Sequence, residues 1–167
     1  LNSFTLSGKF KPDGTKYFNG SFKEDSRLNY GDLVIAITDV TRNAIIIGKS
    51  FIVPDLFDQP PLISCDVASV ISKSNFNNYY LEMLFNSEIY HEYIKHFASG
   101  TLVLHLDLNG MLWFKTFMPQ KRLLDKFAEI KKSIMLKQTI NVIENQQLTQ
   151  LRDWLLPMLM NGQITVK

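Results

Sequence analysis

The sequence predicts an α+β fold, in which a mixed-sheet domain is followed by a long projecting α-helix. Two observations lead to this prediction. In the first part of the chain, short apolar runs alternate with turn residues, which is typical of strands joined by loops. In the second part, about 40 residues pass without an internal glycine, and apolar residues recur at steps of three and four in three runs with shifted starts, as on the drifting stripe of one long helix. We therefore divide the chain into a domain at 1–117, a helix at 118–162 and a tail at 163–167.

The long helix is the most strongly indicated element. Pro119 stands where a helix can begin and Gly162 where one can end, and Pro157 is the single proline between them. At ~1.5 Å per residue the helix spans roughly 55–60 Å, well beyond the ~30 Å of a small domain, so part of it must project and needs a partner. An ordinary long core helix is the alternative, and the length argues against it. The apolar positions are Leu123, Phe127, Ile130, Ile134, Leu136, Ile140, Ile143, Leu148, Leu151, Leu155 and Met158.

The first part of the chain is predicted to contain a β-hairpin. Segment 30–39 is a Gly-Asp turn followed by a near-continuous apolar run, as expected for a strand buried on both faces. A second strand is predicted at 44–53, interrupted at Gly48, so that a polar loop at 38–43 joins the two. The other predicted elements are a strand at 62–72 with Cys65, Val67 and Val70 facing inward, a helix at 79–98 capped by Asn77 or Asn78, and apolar segments at 102–106 and 108–114.

Composition excludes several classes of protein. Hydrophobic residues make up 46% and aromatic residues 12%, as in a folded domain rather than a disordered chain. The single cysteine, Cys65, excludes an internal disulfide, is expected to be a small buried residue and fits a reducing cytoplasm. No run of ~18 apolar residues exists, so no membrane contact is expected. The chain starts at Leu1 rather than Met, and we expect that it begins partway into a longer polypeptide.

Charge is unevenly distributed along the chain, although the net charge is only +2. Residues 1–49 hold seven Lys or Arg against five Asp or Glu, residues 50–114 two against seven, and residues 115–137 seven against two. A basic face could therefore form from the two ends of the domain, although a solvated helix face would explain the last block equally well. Lysines and aromatic residues also alternate between Lys9 and Lys23, which fits either nucleic-acid contact or a plain surface hairpin.

Catalytic motifs are missing from the sequence. His91 and His96 are five residues apart and do not share a helix face as metal ligands four apart would. There is no phosphate-binding Gly-rich loop, no nucleophile elbow and no Gly-rich turn of a cofactor-binding βαβ unit. Asp32 with Asp39 is the one conceivable metal pair, and it is a weak one. We therefore expect that this chain does no catalysis by itself.

The C-terminal stretch 148–166, LTQLRDWLLPMLMNGQITV, resembles the end of a specificity subunit of a type I restriction-modification enzyme. In that family a long conserved helix finishes in Leu-Arg-Asp-x-Leu-Leu-Pro-x-Leu-x-x-Gly-x-Ile. Segment 31–39, GDLVIAITD, also resembles a strand of the family's target-recognition domain, and Ala98, Gly100 and Thr101 match a turn that precedes its helix. The family's Pro-Pro-Leu start of the helix is reduced here to Met-Pro at 118–119. The matching tail positions are Leu151, Arg152, Asp153, Leu155, Leu156, Pro157, Leu159, Gly162 and Ile164.

The resemblance implies a non-catalytic subunit that reads one half of a bipartite DNA target. Residues 1–117 would be the target-recognition domain, and the helix at 118–162 would set the spacing between half-sites, pair in an antiparallel coiled coil and dock other subunits. Implied partners are double-stranded DNA, modification (methyltransferase) subunits, a restriction subunit, and the second half of the specificity subunit or a second copy. No cofactor is expected on this chain, since S-adenosylmethionine would bind the modification subunit. The implied subunit-interface residues are Leu123, Phe127, Ile130, Ile134, Leu148, Leu151 and Leu155.

Under this interpretation, the polar loops of the first domain would contact DNA. Arg42 and Asn43 have the chemistry to read guanine and adenine edges, and lysines would contact phosphates. The alternatives are a helical protein-interaction module without DNA binding, and a nuclease or methyltransferase fragment, which would require metal- or cofactor-dependent turnover. The residues predicted to contact DNA are Lys9, Lys11, Lys16, Arg42, Asn43, Lys73 and Asn75.

Overall fold

The computed structural model describes residues 1–41, 43–73 and 76–164, and it confirms the α+β prediction. Two short 3-10 turns, Pro12–Gly14 and Glu24–Ser26, precede the first strand. The strands are β1 (Leu33–Ala36), β2 (Thr38–Asp39), β3 (Ser50–Ile52), β4 (Val67–Val70), β5 (Ala98–Ser99) and β6 (Leu104–Leu106). The helices are α1 (Asn78–Phe85), α2 (Glu88–Lys95), α3 (Asn109–Trp113) and α4 (Lys121–Met160).

Strand β1 is the centre of the first sheet, whose order is β3-β1-β4. Its four residues are all buried, because alternate side chains enter two different hydrophobic clusters. Leu33 and Ile35 pack with residues of α1 and α2, whereas Val34 and Ala36 pack with N-terminal aromatic residues such as Phe4. This two-sided burial confirms the interpretation of the near-continuous apolar run.

The second sheet has the order β2-β6-β5, and the chain enters it directly after β1. Thr38 pairs with His105, and Ala98 pairs with Leu106. All described pairings in both sheets are antiparallel, so the expected mixed sheet is corrected to two small antiparallel sheets. A short connection accounts for the β5–β6 pair, because a parallel pair needs a crossover of a dozen or more residues, whereas β5 reaches β6 through residues 100–103 alone.

Three predicted elements differ from the structure in extent or type. The strand expected at 44–53 is extended only at Ser50–Ile52, and the strand expected at 62–72 only at Val67–Val70. Segment 108–114 is mostly the short helix α3. Cys65, expected to face inward, is exposed, because it precedes β4 in a turn rather than lying within the strand.

The helix expected at 79–98 is divided into α1 and α2. Asn77 caps α1 by accepting a hydrogen bond from the Tyr80 N–H at 2.8 Å, as predicted. The division falls at Asn86, whose side chain accepts from the Ser50 N–H at 3.1 Å and donates to the Ser50 carbonyl at 2.8 Å. Ser87 then caps α2. The amide of Asn86 therefore pairs with strand β3 instead of pointing into solvent from a continuous helix.

Helix α4 has 40 residues and is attached to the domain only near its start. Leu124 is the single buried residue among its described positions. The Leu124 carbonyl accepts a hydrogen bond from the Asn77 side chain at 3.1 Å, and Lys131 forms a 2.8 Å ion pair with Glu82 on α1. Met135 packs against the core cluster, and beyond it none of the helix is buried. The helix therefore projects, and the long core helix is excluded.

The helices of the described residues contain no stretch that is both long and apolar enough to cross a lipid bilayer.

Two glycines with positive φ provide a stability prediction with an internal control. Gly48 has φ +72°, and a Cβ there would lie 2.6 Å from Cγ2 of the buried Ile94, whereas Gly31 has φ +89° and open space around it. We expect Gly31→Ala to lower the free energy of unfolding by about 1–2 kcal/mol through backbone strain alone. Gly48→Ala should cost about 2–5 kcal/mol, because overpacking adds to that strain. Chemical denaturation compares the two, and equal losses would show that the Ile94 contact does not matter.

Candidate nucleic-acid interface

The loop after β2, residues 40–47, is organised by one buried carboxylate. Asp39 is fully buried, and its Oδ1 accepts from the Thr41 N–H at 2.6 Å. Its Oδ2 accepts from the N–H groups of Ile46 at 2.6 Å and Ile47 at 2.9 Å. A buried carboxylate is tolerated only when such partners replace its water. Both ends of the loop, at Thr41 and at Ile46 and Ile47, are therefore bonded to the same carboxylate.

A second anchor holds the middle of the loop. Ala44 has φ +51°, a left-handed conformation that is uncommon outside glycine, and its carbonyl lies 3.0 Å from Nε2 of His91 on α2. Since a carbonyl only accepts, His91 must donate from Nε2. Burial, with the charge of Lys49 nearby, lowers the pKa of His91, which keeps the imidazole neutral near pH 7. The loop is thus tied both to β2 and to α2.

Of the two loop residues predicted to read bases, Asn43 is exposed on the loop surface. Arg42 lies outside the described residues. The next residue, Ala44, is buried. An exposed amide on an ordered loop is a suitable group for reading the edge of a base.

The three N-terminal lysines predicted to contact phosphates are exposed. Lys9, Lys11 and Lys16 surround the 3-10 turn Pro12–Gly14, and the segment is held down by aromatic packing. Phe4 and Phe10 lie 4.6 and 5.3 Å from the ring of Phe51 on β3. Phe4 and Phe10 thus pack against the core, whereas the three lysines are exposed.

Contacts connect this lysine segment to the loop. The backbone of Gly8 lies close enough to Lys49 that an added Cβ would be 3.2 Å from the Lys49 Cβ. Lys49 in turn lowers the pKa of His91, which is bonded to Ala44 of the loop. Lys49 therefore lies between the segment that carries Lys9 and the His91 side chain that holds Ala44.

Lys73 is placed elsewhere. It is exposed and follows β4, whose end residue Val70 pairs with Leu33 at the start of β1. The loop at 40–47 follows the other end of β1, beyond Ala36 and β2. Lys73 is therefore not grouped with Asn43, and Asn75 lies outside the described residues. Contact between these residues and DNA stays a prediction.

Asp32 and Asp39, the weak metal pair considered from the sequence, each accept hydrogen bonds from backbone amides. Asp32 accepts from the Asn29 N–H at 2.7 Å, and both oxygens of Asp39 are bonded to backbone amides. Among the residues that the structure describes, no group of three or more acidic, His or Cys side chains could hold a metal ion.

Sequence reasoning missed three features of the domain. Tyr17 and Phe18 are exposed aromatic side chains next to Lys16, where inward packing would have been the simpler expectation. Asp39 was considered only as a metal ligand, although an Asp two residues before Thr41 at a strand end is a known signal for side-chain bonding to the following backbone. Lys49 is also buried, and burial together with Lys95 lowers its pKa.

Helix α4 carries a second candidate surface, which we call the seam. It consists of the positions at steps of four and three from Leu123 to Met158. Apolar residues fill both ends of the seam, and its middle is polar, with Lys137, Asn141 and Glu144. The predicted interface residues are mostly exposed, and Phe127 and Leu155 are partly exposed. The seam residues are Leu123, Phe127, Ile130, Ile134, Lys137, Asn141, Glu144, Leu148, Leu151, Leu155 and Met158.

Comparison with known proteins adds one relative. No family model matches the chain. Over 74 residues the chain is 39% identical to the type I restriction enzyme HindI specificity subunit of Haemophilus influenzae. This part of the chain is related to a specificity subunit. The match covers 44% of the chain and 16% of the Haemophilus specificity subunit, so it spans about a sixth of that protein's length.

Proposed function

We propose that this chain is a DNA-recognition part of a type I restriction-modification specificity subunit and reads one half of a bipartite target. The observation that carries the proposal is the 39% identity to a specificity subunit. The projecting helix and the nine-position tail motif also support it. In this role the chain itself breaks no bond, and it acts in the cytoplasm where the DNA is.

Binding would begin with charge. Lys9, Lys11 and Lys16 are exposed on one ordered segment and would contact phosphates, which positions the domain without reading sequence. The loop at 40–47 would then enter the major groove. There Asn43, with Arg42 beside it in the sequence, would form hydrogen bonds to base edges.

The long helix would fix the distance to the other half-site by pairing with the helix of the second half or of a second copy. Asn141 is the sixth of the eleven seam positions, with Lys137 four residues before it and Glu144 three residues after it. In an antiparallel pair centred there, each Lys137 comes opposite the partner's Glu144, whereas a parallel pair would place like charges together. The charges therefore favour the antiparallel arrangement, and a polar residue such as Asn141 is suited to setting the register.

The remaining subunits would supply the chemistry. Modification subunits would bind S-adenosylmethionine and methylate a base flipped out of the duplex, and the restriction subunit would cleave. The exposed apolar residues of α4 outside the seam, such as Trp154 and Met160, are available to dock them.

The experiment that tests the proposal is a fluorescence-anisotropy titration of the chain with a randomised duplex at two salt concentrations. Salt-dependent binding, followed by enrichment of particular duplexes from the pool, is expected. The exposed seam also fits a second candidate, a protein-interaction module. That candidate requires oligomer formation through α4 without salt-dependent DNA binding.

Asn43 gives a sharper prediction. Replacing Asn43 with Ala should reduce the affinity for an enriched duplex by about 5- to 150-fold, the equivalent of one bidentate base contact at ~1–3 kcal/mol. Affinity for a scrambled duplex should not change. The matched control is Asn145→Ala, which removes an exposed amide on α4 far from the loop. Equal losses on both duplexes would remove Asn43 from the base-reading residues.

A further inference from the structure

We propose that Asp39 is a positioning residue, whose buried carboxylate holds the loop at 40–47 in the shape that presents Asn43 to DNA. The inference rests on the proposed function, because it assumes that this loop reads bases. Asp39 itself would touch no nucleotide, since its side chain is fully buried.

The geometry is that of a clamp across the two ends of the loop. One carboxylate oxygen accepts a hydrogen bond from the Thr41 N–H at the start of the loop. The other accepts hydrogen bonds from the Ile46 and Ile47 N–H groups at its end. Within the described part of the chain no ion pair involves Asp39, and three backbone amides donate to its carboxylate. The carboxylate therefore fixes the distance between the two points where the loop leaves and rejoins the domain.

The loop contains a conformation that needs this support. Ala44 has φ +51°, which an L-residue adopts only when its surroundings require it. The additional bonds near it are few: the Ala44 N–H donates to the Thr41 carbonyl at 3.2 Å, the Ile45 N–H donates to Thr41 Oγ1 at 2.9 Å, and His91 donates to the Ala44 carbonyl at 3.0 Å. Without the carboxylate, the turn at Ala44 would be free to relax, and the exposed Asn43 beside it would lose its fixed direction.

A preformed loop matters because binding then does not have to order it. Ordering a flexible loop on DNA opposes binding, so a loop that is already fixed binds more tightly and selects bases more sharply. An asparagine at position 39 has one oxygen and one NH₂ group, so it can accept from one end of the loop but not from both. Asp39→Asn therefore loosens the clamp with almost no change in side-chain size.

The test compares Asp39→Asn with the wild-type chain on two probes: a duplex enriched by the wild-type chain from a randomised pool, and a scrambled duplex of the same length. We expect about a tenfold loss of affinity on the enriched duplex and no change on the scrambled one. Hydrogen exchange of the Thr41, Ile46 and Ile47 amides should accelerate in the free variant. The control is Asp66→Asn, since Asp66 accepts from the Thr38 hydroxyl at 2.8 Å but does not touch the loop.

A milder variant covers the case in which Asp39→Asn unfolds. Thr41→Val removes only the acceptor for the Ile45 N–H, and it should shift binding and exchange in the same direction by a smaller factor. Faster exchange with unchanged discrimination between the duplexes would overturn the inference, as would equal losses on both probes, which indicate a general stability effect. If the wild-type chain enriches no duplex, the proposed function is wrong, and the role of Asp39 in presenting Asn43 to DNA is wrong with it.

Discussion

Replacing Ile130 and Leu151 together with Asp is expected to abolish pairing through helix α4. Both residues are exposed on the seam. In an antiparallel pair centred near Asn141, Ile130 of one helix faces Leu151 of the partner helix, and the reverse. The double substitution places four carboxylates in the apolar layers of a pair, where charges are strongly disfavoured without partners. Analytical ultracentrifugation should show a wild-type dimer and a monomeric variant, with association weakened about 100-fold or more, since that loss corresponds to only ~2.8 kcal/mol.

The matched control for the seam prediction is the double variant Gln146→Asp and Gln150→Asp. It adds the same charge to exposed positions away from the seam and should leave the dimer intact. Helix content measured by circular dichroism should be similar in both variants. The antiparallel orientation of the two helices is tested by reversing charges. Lys137→Glu should weaken pairing, and its combination with Glu144→Lys should restore pairing. A wild-type chain that stays monomeric at high concentration would contradict pairing of two copies.

Replacing Lys9, Lys11 and Lys16 with Ala should remove much of the salt dependence of DNA binding. If each lysine neutralises one phosphate, the slope of log K against log salt falls by about 2.7, and affinity near 0.1 M salt falls by about 10²–10³-fold. The loss should be equal on enriched and scrambled duplexes, because phosphate contacts carry no sequence information. Titrations at several KCl concentrations measure both quantities.

The control for the lysine prediction keeps the total charge change the same. Lys121, Lys126 and Lys132 are exposed lysines on α4, and their replacement with Ala removes three positive charges away from the loop. If this variant lost as much affinity and slope as the N-terminal one, the effect would come from overall charge. The N-terminal segment would then have no special place in the interface.

Helix α4 and strand β1 could be predicted from the sequence because their signals are local. The periodicity of α4 runs through 40 residues, and its boundaries at Lys121 and Met160 lie within two residues of the expected Pro119 and Gly162. The unbroken apolar run of β1 requires burial on both faces, whatever the rest of the fold. In each case one stretch of chain contains the whole signal.

The candidate site was less predictable because long-range contacts determine it. The division between α1 and α2 depends on Asn86 bonding to Ser50, 36 residues earlier in the chain. The described residues of the loop at 40–47 are held by His91 of α2 and by the buried Asp39, and a linear pattern reveals neither contact. Likewise, only the strand order shows that Lys73 lies away from Asn43.

Helix α4 packs against the domain only through its first turns, so the rest of the helix is a lever arm fixed at one end. About 25 residues extend past Met135, so the free arm is about 37 Å long, and a tilt of about 5° at its base moves the tip by about 3 Å. Leu124 and the Glu82–Lys131 ion pair lie at the pivot. A small repacking there would therefore cause a larger displacement at the far end. A modest change in side-chain volume near Leu124 would move Trp154 and Met160 the most.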